Sequence, residues 1–337
     1  MIRLFFWFRL ACFFLGVALL APFARGQQAA SAAPEIHLDV DRVNVGVVVT
    51  DSRGQFVTGL RRGDFRVFDD GVEQPLTDFL STEDPAQILL LIEAGPAVYL
   101  LEGGHVAAVA SLLEGLAPTD RVAIARYNEG AEPILDFTSD RRLAFGALDN
   151  LRFNLGFGQL NLASSIATAL DWLARVPGKK SLIVLSTGVD TSPASAAQAL
   201  LARLRTSDVR LLLVSLGAQL RNAPPGGKKA RKGAAAAADQ ENPVTEAFAR
   251  ADEELRAIAE ASGGRVYFPQ TAGDFAKVFA EIAQLVRHEY SLAFVPPARD
   301  AKLHSIEVRV TDPAASASDA AVPAYHIAHR QAYLAPK

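Results

Sequence analysis

The chain has 337 residues, half of them hydrophobic and 21% charged, with a formal net charge of −3. At roughly 150 residues per domain this length suits about two domains, and an apolar share of one half excludes a wholly disordered chain. There is no basic excess of the kind that marks nucleic-acid binders, and a single Cys excludes both an internal disulfide and a metal site built from several cysteines.

The first residues have their own pattern. Arg3 precedes an apolar stretch from Leu4 to Phe23, interrupted by Arg9 and closed by Ala24-Arg25-Gly26. This is the layout of a secretory signal peptide over residues 1–26, cut after Gly26. The alternative is a membrane anchor through residues 4–23, which are enough to span a bilayer, although Arg9 counts against it. Cleavage removes Arg3, Arg9 and Arg25, so basic residues fall from 34 to 31 against 37 acidic ones, a net charge of −6. It also removes Met1 and Cys12, leaving a mature chain with no sulfur to oxidise. An exported protein, periplasmic or extracellular, is expected.

Residues 27–35 read as a flexible lead-in. From 36 to 49 apolar and polar residues alternate with the period of a half-buried strand. Short strands follow at Asp64–Gly71, closed by an Asp-Gly turn, and at 73–81. At residue 87 the pattern changes. Ile88–Ile92 is a continuous apolar run, as in a strand covered on both faces. A helix is expected at 98–116, strands at Arg121–Tyr127 and Pro133–Phe137, and helices at 140–150 and 161–175. A strand at Ser181–Ser186, a helix at Ala194–Arg205 and a strand at Val209–Leu216 come next. Residues 222–243 are Pro/Gly-, Lys- and Ala-rich and read as a disordered basic loop. Then come a helix at 245–261, a strand at Arg265–Phe268 and a helix at Asp274–His288. Alternating strands, at Tyr290–Val295, Ser305–Val310 and Tyr325–Ala328, complete the chain. The fold class expected is α/β: a doubly wound, mostly parallel sheet over 85–289, inserted in a small antiparallel β domain split between 36–84 and 290–335.

Ligand sites of doubly wound sheets lie at the carboxyl ends of the strands. The strand ending Ile92-Glu93-Ala94-Gly95-Pro96-Ala97 is followed by no G-x-G-x-x-G turn, and no G-x-x-x-x-G-K-[ST] occurs, so nucleotide binding is unsupported. Neither G-x-S-x-G nor H-E-x-x-H is present. His326 and His329, three apart on a strand, point to opposite faces.

The order and spacing of Val45–Thr50 with Asp51-Ser52-Arg53-Gly54, Asp64–Gly71, Ile88–Ile92, Asp120-Arg121-Val122, Lys180–Gly188, Leu255–Gly264, Phe275–Tyr290, Arg330 and Tyr333 resemble a von Willebrand factor A-type domain. More narrowly, they resemble the bacterial VWFA-related family described from Acidobacteria. The resemblance implies a metal-ion-dependent adhesion site with the pattern D-x-S-x-S, a Thr on a second loop and an Asp after the fourth strand. A hard divalent ion there needs about six oxygen ligands. In this chain those positions fall on Glu93, Gly95, Ala97, Leu160 and Thr187, so most of the ligand oxygens are missing; Asp190 and Asn161 stand nearby as replacements. The implied site is degenerate, with no metal and no cofactor. The expectation is an exported, non-enzymatic, adhesion-type protein-interaction module, metal-independent, with Glu93, Gly95, Ala97, Leu160, Thr187 and Asp190 marking the partner-binding loops. The partner is a protein, not nucleic acid or nucleotide, and a membrane enters only through an uncleaved leader. The alternatives are a structural or assembly subunit of a cell-envelope complex, or a metal-dependent binder using a non-standard site.

Overall fold

A computed structural model describes residues 42–99, 104–153, 158–222, 243–311 and 325–336. The leader, the lead-in, residues 36–41 and residues 223–242 of the basic stretch lie outside the described residues.

The described chain opens with β1 (Val43–Thr50), β2 (Phe65–Asp69), β3 (Val72–Gln74) and β4 (Leu76–Leu80). The single strand expected at 73–81 is therefore two. Pro75, which has no N–H to donate, separates them, and they join different sheets. Next come β5 (Ala86–Glu93), α1 (Pro96–Tyr99), α2 (Gly104–Gly115), β6 (Arg121–Tyr127), β7 (Ala131–Thr138), α3 (Arg141–Asp149), α4 (Leu162–Ala174) and β8 (Lys179–Ser186). Then follow α5 (Ala194–Leu204), β9 (Arg210–Ser215), α6 (Gly217–Asn222), α7 (Pro243–Ser262), β10 (Arg265–Tyr267) and α8 (Ala272–Arg287). The last strands are β11 (Glu289–Phe294), β12 (Leu303–Val310), β13 (His326–Ala328) and β14 (Ala332–Leu334).

The central sheet has the order β10-β9-β8-β5-β6-β7. Its pairs are parallel except that β7 runs antiparallel at the edge. Every residue of β5 is buried, and period-2 alternation sorts its side chains. Ile88, Leu90 and Ile92 pack with residues of α2, α3 and α8; Leu89 and Leu91 pack with residues of α4, α5 and α7. Helices thus cover both faces, and the sheet is doubly wound in the von Willebrand A-like manner. Buried Asp120 sets the start of the sheet by accepting from the amides of Ala86 and Ala117, both at 2.8 Å.

Strands from the two ends of the chain pair with each other. One sheet is β13-β1-β11-β4 and the other β14-β12-β2-β3. Val47 lies opposite Tyr290, and Val67 opposite Val308. Val45, Val47, Phe65, Val67, Tyr290, Leu292, Ile306 and Val308 share a core distinct from those flanking the central sheet. The Tyr290 hydroxyl donates to the Val57 carbonyl (2.9 Å) and accepts from the Leu60 amide (3.2 Å), holding the β1–β2 connection over this core. Leu80 of β4 pairs with Ser291 of β11, so the chain leaves and re-enters this β part at adjacent points. No described helix is long and apolar enough to cross a membrane.

Candidate functional site

The carboxyl edge of the central sheet brings together the ends of β5, β6 and β8 with the loop before α4. Glu93, the last residue of β5, is fully buried. Its carboxylate accepts from the Thr187 amide (2.7 Å) and from the Thr187 hydroxyl (2.9 and 3.0 Å to its two oxygens). Ser186 Oγ lies 3.2 Å away and the Tyr127 hydroxyl 3.1 Å away. Tyr127 and Ser186 also contact each other at 2.7 Å, and Ser186 Oγ accepts from the Gly188 amide (2.8 Å). Burial pushes the Glu93 carboxyl above the ordinary glutamate value of 4.5, with the Thr187, Tyr127 and Ser186 hydrogen bonds pulling the other way. Burial, and then the Glu93 charge, push the Tyr127 hydroxyl far upward.

Gly95 is also buried. A Cβ on it would lie 2.8 Å from Leu160 Cδ2 and 3.4 Å from Glu93 Oε1. The leucine side chain thus occupies the space over Gly95 into which a serine would project. Gly188 has φ +79°, and a Cβ on it would lie 2.7 Å from the Ala251 carbonyl oxygen, so the turn after β8 needs glycine.

Asp190 does two things. It accepts from the Ser192 amide in the turn that follows it (2.8 Å). Its two oxygens also accept from the amides of Leu162 (3.1 Å) and Ala163 (2.9 Å), so it caps the amino terminus of α4 from another loop. Thr191 closes the same seam: its amide donates to the Leu160 carbonyl (2.7 Å) and its hydroxyl accepts from the Leu160 amide (2.8 Å). Asn161 donates from Nδ2 to the Glu129 carbonyl (2.9 Å), and its Oδ1 is 3.2 Å from Thr191 Oγ1. Both side chains offered as replacement ligands are therefore engaged in loop bonds.

Of the six marked residues, Glu93, Gly95, Leu160 and Thr187 meet in one packed group, and Asp190 braces its edge. Ala97 lies on α1. Glu93 and Thr187 are fully buried and expose no surface of their own. The outward side chains of these loops are those of Gln159 and Thr191, with Leu160, Asn161 and Asp190 half-buried. Beside Asp190 an apolar cavity of about 380 Å³ opens between α4, α5 and α7, lined by Ala163, Ala197, Leu201 and Ile258 together with Glu254. Sequence reasoning missed Tyr127 and Ser186 as partners of Glu93. The signal available was a polar residue ending each of the two strands that flank β5.

No family model matches the sequence, and no curated protein matches it. Among solved structures, it is similar to an aerotolerance-related membrane protein from Bacteroides fragilis NCTC 9343 (16% identity, 60% of this chain and 98% of that one, TM-score 0.44). It is also similar to a conserved hypothetical protein, BatB, from Bacteroides thetaiotaomicron (16%, 60% and 99%, TM-score 0.43). A third is a von Willebrand factor type A protein from Catenulispora acidiphila (14%, 89% and 75%, TM-score 0.46). At scores this low these likenesses carry no functional information. The sheet order, the antiparallel edge strand and the helices on both faces define the class, a protein with a von Willebrand A-like α/β fold.

Proposed function

We propose that the chain is an exported, non-enzymatic protein-interaction module that uses the carboxyl edge of its central sheet without a bridging metal ion. The observation that carries this reading is the filling of the edge by the protein itself. Leu160 packs over Gly95, and the Glu93 carboxylate is saturated by Thr187, Ser186 and Tyr127. An octahedral ion needs several free hard oxygens, and those nearby are engaged or buried. The same burial argues against catalysis, since the hydroxyls of Ser186 and Thr187 have no path to a substrate. Partner contact then falls to Gln159, Leu160 and Thr191, held by a rigid hydrogen-bonded seam. Support for export is the signal-peptide pattern expected over residues 1–26.

The test is affinity capture from the cell-envelope fraction, with and without chelator, using the full chain and a Gln159→Arg/Thr191→Arg variant. Capture that is unchanged by chelator and lost in the double variant is the expected result. Capture that survives the double variant leaves the edge without a role and favours a scaffold in an envelope assembly.

A further inference from the structure

A second polar cluster lies in the β part, where β2 and β12 meet, and is independent of the reading above. β2 ends at Asp69. Asp70 and Gly71, at φ +47° and +81°, then turn the chain into β3. β12 brings His304 against this turn. One oxygen of each aspartate is already committed. Asp69 Oδ2 accepts from the Tyr333 hydroxyl (3.1 Å), and Asp70 Oδ1 accepts from the amide and hydroxyl of Ser305 (2.8 and 2.9 Å). The other two oxygens face one imidazole nitrogen: Asp70 Oδ2 lies 2.9 Å and Asp69 Oδ1 3.3 Å from His304 Nδ1. Neither approach has hydrogen-bond geometry. Asp69 Oδ1, on a residue only 3% exposed, and His304 Nδ1 are buried atoms with no hydrogen-bond partner.

We infer that Asp69, Asp70 and His304 form a binding site for a divalent transition-metal ion, zinc being the one their chemistry fits best. One ligand atom from each residue lies within 4.8 Å of the others. Bonds of about 2.0–2.1 Å put neighbouring ligands roughly 2.8–3.4 Å apart between octahedral and tetrahedral angles. The distances of 2.9 and 3.3 Å match that spacing. Each ligand also has a supporting contact: Tyr333 behind Asp69, Ser305 behind Asp70, and Asp300 Oδ1 at 3.1 Å from His304 Nε2. A carboxylate on the far nitrogen is the arrangement that fixes the tautomer and aim of a metal-binding histidine. Two carboxylates with an imidazole suit zinc, whereas an imidazole is a poor ligand for magnesium. Asp70 is exposed, which gives the ion an entry path and room for water at a fourth position. The ion takes the Nδ1 lone pair of the neutral ring, whose one N–H points from Nε2 to Asp300, so uptake strengthens as acid is removed. Bound there, it staples the β2–β3 turn to β12.

The test is calorimetric titration of the chelator-stripped full chain with zinc chloride, repeated on His304→Gln and Asp300→Asn, with folding checked by circular dichroism. One zinc per chain with a dissociation constant below about 10 μM is expected. His304→Gln should weaken uptake by about 100-fold or more, and Asp300→Asn, which touches no metal, by about 10- to 100-fold. Cobalt should give visible absorption bands that His304→Gln abolishes. Absence of uptake, or uptake unchanged in both folded variants, overturns the inference and leaves an ion-paired histidine.

Discussion

Truncating Glu93 probes the sheet edge most sharply. Glu93→Ala leaves the buried Thr187 amide without its acceptor, which costs about 1–3 kcal/mol. The Thr187 hydroxyl loses a bond worth about 1 kcal/mol, while Tyr127 and Ser186 retain each other. Relief from burying a carboxylate offsets part of this, so a net loss of about 2–3 kcal/mol at neutral pH is expected from urea unfolding. Glu93→Gln keeps the shape without the charge and should lie within about 1 kcal/mol of the parent. The two should also separate with pH. The folded-state pKa of Glu93 lies above its ordinary value of 4.5, so between the two values the unfolded chain binds fewer protons than the folded one. The parent therefore loses stability as pH rises from 4.5 through the folded-state value, and the glutamine variant does not. A loss below about 1 kcal/mol for Glu93→Ala, or a parent–glutamine difference that is flat with pH, refutes the reasoning.

Three further outcomes follow from the geometry. Asp190→Ala removes the cap of α4 and should cost about 1–2 kcal/mol in urea unfolding, with faster amide exchange at Leu162 and Ala163. Gly95→Ala forces Leu160 outward and should cost about 1–3 kcal/mol, and partner capture should fall with it. We further propose that the β part is one split domain. Replacing residues 83–287 by a short Gly/Ser linker should leave a cooperatively melting, all-β protein by circular dichroism, because Leu80 and Ser291 are already paired; a chain that does not melt cooperatively contradicts the split.

The central sheet was legible because burial on both faces writes a continuous apolar run, as at Ile88–Ile92, and because amphipathic helices separate such runs. Short elements left weaker traces. β14 and α6 have three and six residues, too few for a period to emerge. Of the helix expected at 98–116, the described residues give α1 and α2, with residues 100–103 lying outside them. The packing of Leu160 over Gly95 depends on a loop-to-loop contact that no local pattern encodes. The Asp69–Asp70–His304 cluster is harder still: Asp70 reads as a turn residue and His304 as a lone histidine until β2 and β12 are paired. Tyr127 and Ser186 read as strand ends and acquire a role only through the buried carboxylate between them.

The zinc site bears on how metal dependence is measured, because a chelator acting on the β part must not be mistaken for one acting at the sheet edge. The most direct measurement is therefore calorimetric titration of folded His304→Gln protein with magnesium and with manganese, followed by partner capture by the same protein in chelator. No saturable heat and undiminished capture are expected. Sub-millimolar binding of either ion that Thr187→Val abolishes, with capture lost in chelator, would contradict a metal-independent edge.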